Sequence, residues 1–474
     1  MSDQSYHSPL LSRLSIRERK FILFLGDVLV ALLALLIALI TWARGDDWLG
    51  LSPQFFAERP ENWFYLLPVL WLLMMAPIYD IRRSSSIATT LSFILIASLL
   101  ALVTYLIIFF VAPPKALPRR GVAVFLLSCS IFSIIWRMIY IRFFTLPKYL
   151  LNTLIVGAGK AGSRIAEIVA ETNPKPFNLI GFIDDDPEKI GKEIFGVKVL
   201  GPSSSFYEIV DHNQVSQVIM AISNRMNKDL FETLTIAEEK GLIVTTMPSV
   251  YENILKRVPV YLLGTDWMVR NFYDQARASA FYEITKRLLD IFGGLVGTLV
   301  FLVLLPVISL VILIDSGAPI FYKQDRLGLR GIPFTMYKLR TMVNDAEADG
   351  IPRPAEAEDV RITRSGNFLR RSHLDEMPQF FNVLRGDLSL VGPRAERHEI
   401  VEELQKEIPF YRGRLLVRPG VTGWAQINYG YASGAEQNAI KLEYDLYYIK
   451  NRNTVLDLSI LLNTFKTIFG LKGR

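Results

Sequence analysis

Apolar residues along this chain fall into long blocks before they fall into any period. Four runs with little or no charge come first, at about 21–43, 63–79, 87–112 and 121–141. A helix that crosses a bilayer needs roughly 20 apolar residues. The pattern therefore predicts a four-helix transmembrane bundle over 21–148, behind a cytosolic tail of residues 1–20. The second run is short and carries Pro68 and Pro77. The fourth includes Arg137, which can snorkel to an interface. Asp27 lies near the end of the first run, where a hydrated acid is expected. Residues 21–43 are too long for a signal-peptide core and no A-x-A-like site follows, so no cleaved leader is expected.

After Pro147 the pattern changes. LNTLIVGAGKAGSRIAEIVA reads as a buried strand, a glycine turn and a helix, and NLIGFIDDDP, VSQVIMAIS and GLIVTTMP read as further strands. An α/β Rossmann-like domain is expected over 149–250. Gly157, Gly159 and Gly162 match G-x-G-x-x-G. These glycines permit a tight turn and close approach of a pyrophosphate. Asp184 stands about 20 residues on, where a ribose-binding acid would sit. The fingerprint specifies a fold more than a ligand. A bound nucleotide, and a fold kept for regulation or assembly, both stay open.

A linker is expected over 251–280. Residues 288–314 are then almost wholly apolar, with Asp290 the only charge. Pro306 interrupts the run, removing a backbone donor and crowding the preceding turn. The limb Ile291–Leu305 covers roughly 22 Å, short of a bilayer core of about 30 Å. A re-entrant membrane helix broken at Pro306 is expected over 281–318, with Lys286, Arg287 and Asp290 near the headgroups. The remainder, 319–474, reads as a mostly α module. Its last run, LDLSILLNTFKTIFGLK, has an apolar stripe that suits either a membrane surface or packing on the module.

Charge orients these pieces. Arg13, Arg17, Arg19 and Lys20 precede the first run, Arg82 and Arg83 follow the second, and Arg142 and Lys148 follow the fourth. The positive-inside rule puts these clusters, and all that follows the fourth run, in the cytosol. Lys115, Arg119 and Arg120 oppose it. The formal net charge is +6, with arginines interleaved among membrane segments. That balance suits a membrane surface or phosphate-bearing substrates, and no nucleic acid is expected. One cysteine, Cys129, excludes an internal disulfide, and the four histidines lack metal-ligand spacing.

The candidate chemistry lies in HLDEMPQFFNVLRGDLSLVGPR, residues 373–394. Pro378 suits a helix first turn, which would put Asp375 at or beside an N-cap and Glu376 just inside. Residue types alone allow a capping pair as readily as a catalytic one. Arg340, Arg361, Arg370, Arg371, Arg394 and Arg418 flank the pair, and arginine forks match phosphate oxygens.

These residues carry a resemblance. With PIFYKQDRLGLRGIPFTMYKLRTM (319–342), RITRSGNFLRRSHLDEMPQFFNVLRGDLSLVGPR (361–394) and VRPGVTGWAQIN (417–428), the C-terminal half resembles the bacterial monotopic polyprenyl-phosphate phosphoglycosyl transferases, the sugar transferase family. The whole layout is similar to its long form. The resemblance implies that Asp375 attacks the sugar-bearing phosphate of a UDP-sugar and that polyprenyl (undecaprenyl) phosphate then takes the sugar-phosphate. It implies Mg²⁺ touching Asp375, with Glu376 serving the metal or a proton transfer. Arg394, and Lys338, Arg340 and Arg418, would contact substrate phosphates or headgroups. It also implies a bacterial inner-membrane location with cytosolic soluble parts, and allows a homodimer through the middle domain. A fifth full span would remove the site from cytosolic nucleotide-sugars, which favours re-entry. Two departures stand out: Leu305 replaces the usual serine before Pro306, and Ala395 replaces the proline usual after VGPR. Tyr282 and Lys286 form a chance Y-x-x-x-K match, His373 reads as surface or packing, and Asp387 suits a turn. The acidic loop 344–359 reads as a lid or a solvated insertion. Two competing functions are an NAD-dependent sugar-nucleotide modifying enzyme and a non-enzymatic scaffold; both predict that Asp375→Asn is harmless.

Overall fold

The computed structural model describes residues 16–75, 78–79, 87–111, 118–144, 150–222, 228–264, 272, 279–343, 359–430 and 434–469. Pro77, Arg13, Arg82, Arg83, Lys115, Lys148 and residues 344–358 of the acidic loop lie outside them. The chain forms two compact units, Met1–Leu255 and Lys256–Arg474.

The first unit opens with helices α1 (Ile16–Arg44), α2 (Pro53–Glu58), α3 (Leu67–Met75), α4 (Ile87–Val111) and α5 (Arg119–Phe144). Small residues Ala31, Ala34 and Ala38 on α1 recur at helical spacing and are fully buried. They share one apolar core with Trp71, Phe93, Ala97, Phe125 and Cys129 from α3, α4 and α5. Among the described residues, Glu18–Arg44, Arg119–Phe143 and Ala280–Ser316 are long and apolar enough to cross a membrane, whereas Phe64–Met75 and Thr90–Val103 are shorter apolar helices. Arg137 does not snorkel. Its Nη2 lies 2.6 Å from Asp27 Oδ2, and both side chains are buried. The acid expected to be hydrated is therefore paired inside the protein, which removes two isolated charges at once.

An α/β layer follows: β1 (Asn152–Val156), α6 (Lys160–Glu171), β2 (Asn178–Ile183), β3 (Glu193–Ile194), β4 (Val197–Gly201), α7 (Phe206–His212), β5 (Gln217–Met220), α8 (Lys228–Glu239), β6 (Ile243–Thr246) and α9 (Met247–Leu255). The strand order is β3-β4-β2-β1-β5-β6, with β3 alone antiparallel to its neighbour. This is the Rossmann-like sheet that the alternating pattern predicts.

The second unit contains α10 (Ala280–Ser316), the hairpin β7 (Phe321–Leu327) and β8 (Pro333–Leu339), α11 (Arg364–Arg371), α12 (Gln379–Arg385), β9 (Ser389–Val391), α13 (His398–Glu407), β10 (Gly420–Thr422), α14 (Trp424–Asn428), α15 (Gly434–Asn451) and α16 (Thr454–Phe469). Part of the expected linker is core: Val258 and Val260 are buried with Leu442 and Leu446, and Val258 N–H donates to Glu443 O. Helix α10 starts at the N-cap Ser279, whose Oγ accepts from Tyr282 N–H, and ends at Gly317 with φ 76°. Its 37 residues run through Pro306 without a break in the helical assignment, so the interruption expected there is absent from the secondary structure. One proline removes a single ladder bond, and the packed flanks hold the rest. Gly293, Gly294 and Gly297 face the module. A Cβ on Gly297 would lie 2.5 Å from the Phe380 ring, and one on Gly294 3.0 Å from Leu384. Phe292, Leu299, Val303, Val307, Leu310 and Ile314 remain exposed.

Candidate active site

The site is built where β8, the turn before α12 and the β9–β10 pair converge. In β8 the two-residue period puts Met336 and Lys338 on one face; Met336 is buried and Lys338 half-buried. Asn382, fully buried on α12, ties this strand to that helix. Its Nδ2 donates to Thr335 O at 2.9 Å, and its Oδ1 accepts from Tyr337 N–H at 3.3 Å. Asp387 joins the same group, accepting from Asn382 Nδ2 at 3.2 Å, in keeping with a turn role.

The dyad does not cap a helix. Asp375 and Glu376 lie in a separate 3₁₀ turn, Leu374–Glu376, and α12 begins later with Pro378 as its N-cap. Neither element has a side-chain cap bond at its start. Sequence placed the helix start too early because Pro378 is compatible with several first-turn positions. His373, in the left-handed region at φ 57°, reverses the chain immediately before the turn. That conformation is uncommon for a non-glycine residue and brings both acids inward.

The two carboxylates have different surroundings. Glu376 Oε1 accepts from Lys338 Nζ at 2.8 Å and from Arg394 Nη2 at 2.7 Å. Asp375 is 8% exposed, yet among the described residues its carboxylate has no hydrogen bond or ion pair. Burial and then the neighbouring Glu376 charge push the Asp375 carboxyl up to about 6, against Lys338, Arg370 and Arg394. Burial also acts to raise Glu376, but Arg394 and Lys338 outweigh it and hold that group well below the usual carboxylate range. The pair therefore separates into a permanently charged anchor and an unpaired carboxylate that ionises near neutrality.

Arg394 is held from behind. Gly392, Gly420 and Gly423 permit β9 and β10 to pass almost in contact: a Cβ on Gly392 would lie 2.4 Å from Arg418 O, and one on Gly423 2.1 Å from Gly392 O. Gly392 N–H donates to Thr422 O and Gly420 N–H to Pro393 O, each at 2.8 Å. Arg414 Nη2 donates to Arg394 O at 3.0 Å and to Asp445 Oδ2 at 2.9 Å. Glu396 accepts from Lys441 at 2.9 Å and pairs with Arg414 at 3.4 Å. Burial acts to raise Glu396, and the cations, led by Lys441 and Arg414, bring it down to about 2. Sequence reading missed this network. Its available signal was Asp445, an acid set among apolar positions of α15.

The other expected residues are dispersed. Arg340 is buried, and its Nη2 donates to Ser316 O at 2.8 Å, to Ser316 Oγ at 2.9 Å and to Gly317 O. That is a clamp on the carbonyl end of α10. Arg418 is half-buried two residues before β10, where its backbone oxygen faces Gly392, and among the described residues its guanidinium has no hydrogen bond or ion pair. Arg370 donates to Thr341 Oγ1 at 2.8 Å, and Arg361 pairs with Asp359 at 2.6 Å. Lys286 and Arg287 do not reach for headgroups. Lys286 Nζ bonds Val391 O, Tyr448 Oη and Asp457 Oδ2, and Arg287 donates to Val383 O and Leu384 O. Asp290 accepts from Ser389 Oγ and Leu390 N–H. Tyr282, the other half of the Y-x-x-x-K match, also donates to Asp457, so the pair anchors α16.

In the first unit, Gly157 has φ 105° and a Cβ on Gly162 would lie 1.9 Å from Gly157 O, so the turn itself requires both. A Cβ on Gly159 would meet nothing within 4 Å. Asp184 Oδ2 accepts from Ala158 N–H at 2.7 Å, and Lys189 Nζ lies 3.3 Å away. The expected ribose acid is thus engaged by the glycine turn.

Comparison with known proteins agrees with this division. The family model described as bacterial sugar transferase matches residues 281–471, and one described as a CoA-binding domain matches 75–248. UDP-N-acetylgalactosamine-undecaprenyl-phosphate N-acetylgalactosaminephosphotransferase of Aeromonas hydrophila is 42% identical over 45% of this chain and 51% of its own length. UDP-glucose:undecaprenyl-phosphate glucose-1-phosphate transferase of Xanthomonas campestris pv. campestris is 29% identical over 68% of this chain and 67% of its own length. The uncharacterized sugar transferase EpsL of Bacillus subtilis is 38% identical over 40% of this chain and 90% of its own length. The chain thus spans about half the length of the first of these relatives.

Proposed function

Because the chain belongs to the bacterial sugar transferase family, we propose that it transfers a sugar-1-phosphate from a UDP-sugar to polyprenyl (undecaprenyl) phosphate, through a sugar-phosphate held on Asp375. The observation that carries this reading is the division of labour in the dyad: Glu376 binds Lys338 and Arg394, and among the described residues nothing engages the Asp375 oxygens. An Asp375 oxygen attacks the phosphorus nearest the sugar. The bond from that phosphorus to the bridging oxygen breaks, and UMP leaves with the electron pair. A phosphate oxygen of the polyprenyl phosphate then attacks the same phosphorus, and Asp375 departs as carboxylate. Carboxylates serve as nucleophiles toward phosphoryl groups elsewhere. Lys338 and Arg394 lower the repulsion between the attacking anion and the anionic phosphates.

The residues fit a magnesium ion. Mg²⁺ is commonly held by one or two carboxylates together with substrate phosphates, and Asp375 offers a carboxylate that has no partner among the described residues. Among the described residues no group of three or more His, Cys, Asp or Glu gathers, which suits a metal shared with a diphosphate better than a closed protein cage. Asp375 would hold it, and when bound it would draw charge from the diphosphate oxygens.

Helix α10 supports a re-entrant path. Lys286, Arg287 and Asp290 near its start bond the same module as Asp315 and Ser316 at its end, the latter through Ser365 and Arg340. A helix crossing the bilayer would separate those ends. The apolar face opposite its glycines is then available to one leaflet, with α1, α4, α5 and the run 63–79 as the four spans and the catalytic unit at the cytoplasmic face of the inner membrane.

The test is to offer the purified protein radiolabelled UDP-sugars with Mg²⁺ and no lipid. Label retained on the wild type and absent from Asp375→Asn is expected, and the sugar that labels identifies the donor. Equal retention by both proteins would sink the covalent step.

A further inference from the structure

A second set of polar groups lies beside the dyad without a task in the steps above. Arg326, Met336, Gln379, Leu388, Arg394 and Gly420 line a small recess. Gln379 opens α12 and is only 4% exposed, yet among the described residues its side-chain amide makes no hydrogen bond. Its amide atoms are not sealed from solvent, so the amide offers two donors to the recess. Arg326 contributes an unfilled donor: its Nε is buried and, among the described residues, has no hydrogen-bond partner, although its Nη1 donates to Ala395 O at 3.3 Å and its Nη2 to Gln324 Oε1. Arg394 links the recess to the site, because its Nη2 is the group on Glu376. Met336 and Leu388 close the walls with apolar surface. The donors outnumber the acceptors, two of the lining groups are cations, and the recess has room for a small oxygen-bearing group.

We infer that this recess receives a non-bridging phosphoryl oxygen of a substrate phosphate, with Gln379 and Arg326 donating to it and Arg394 offsetting its charge. The inference rests on the reaction proposed above and adds Gln379 and Arg326 as substrate-binding residues. A neutral amide suits this place, since it supplies a directed donor without raising the positive charge already contributed by two guanidinium groups. The phosphate could be that of the nucleotide donor or of the lipid acceptor, and both present the same chemistry.

The experiment compares wild type with Gln379→Glu, which keeps the shape and turns a donor into an anion, and Gln379→Leu, which removes the polar atoms. Donor turnover is read as UMP release and lipid use as product formation, each against its own substrate concentration. Binding without chemistry is read as the rise in melting temperature with UDP, using uridine as the control that lacks phosphate. Losing a hydrogen bond to a charged group corresponds to a KM increase of about ten- to a hundredfold. A larger increase is expected for Gln379→Glu than for Gln379→Leu. A rise in KM for the UDP-sugar, with loss of protection by UDP, assigns the oxygen to the donor. A rise confined to the lipid assigns it to the polyprenyl phosphate. Unchanged KM for both substrates in both variants overturns the inference, and a lowered melting temperature alone then marks a packing role. Should Asp375→Asn still turn over while Gln379→Glu loses UDP protection, the proposed reaction fails and the recess stands.

Discussion

Asp375 is the place to test the electrostatics, since its charge is set against its own fold. Its carboxyl ionises at about 6 in the folded protein against an ordinary value of 3.8. A raised carboxyl pKa means that the folded state binds the proton more tightly than the unfolded state. Stability from this group is therefore complete below 3.8 and is lost as pH rises through 6. Two units at about 1.4 kcal/mol each give a cost of roughly 3 kcal/mol at pH 7.5. Asp375→Asn removes the charge and keeps the shape. It should melt several degrees higher than wild type at pH 7.5 in detergent with a chelator present. The same linkage leaves about a third of the gap at pH 4.5. Added Mg²⁺ should narrow the gap at pH 7.5 by favouring the wild-type carboxylate. A variant that melts lower than wild type, or a gap that fails to shrink with acid, would refute the assignment of an unpaired buried carboxylate. In the proposed reaction the same ionisation governs attack. Activity measured as kcat/KM should fall about tenfold between pH 7 and pH 5, because Glu376 stays charged throughout that range.

Other outcomes follow from packing. Gly392→Ala, with backbone oxygen 2.4 Å from the new Cβ, should cost about 1–3 kcal/mol and lower both melting temperature and turnover, measured together by scanning fluorimetry and UMP release. Arg414→Met strands Asp445 beside the Arg394 loop, while Glu396 keeps Lys441; breaking a buried pair of this kind costs about 3–5 kcal/mol, and the variant should unfold at markedly lower denaturant. In the Rossmann-like domain, Gly162→Ala should destabilise and Gly159→Ala should leave the melting temperature near wild type, since only the first meets backbone at 1.9 Å.

Local pattern carried much of this protein. The apolar blocks marked α1, α4, α5 and α10, and the glycine turn marked the βαβ start at Asn152–Glu171. The HLDEMPQFF stretch marked both acids of the dyad. What the pattern could not supply was the partner of each charged group, because those partners come from distant residues. Arg340 reads as a phosphate ligand until Ser316 and Gly317 take its guanidinium. Lys286 and Arg287 read as headgroup contacts until β9, α12 and α16 claim them. Arg137 reads as snorkelling until Asp27, 110 positions earlier, lies opposite it. The difference between Asp375 and Glu376 is of the same origin. Adjacent in sequence, they part only when Lys338 and Arg394 converge on one of them.

The glycine face of α10 bears on how this enzyme can be handled. Cutting the helix away in pursuit of a water-soluble fragment would strip the cover from Phe380, Leu384 and Leu390, and would deprive the Leu390 amide of Asp290. Swapping in any oily segment of equal length would jam against the same side chains. The helix behaves as an inner wall of the catalytic half whose outward side is apolar, so solubilised versions should be sought by repainting that side and leaving Gly293, Gly294 and Gly297 untouched.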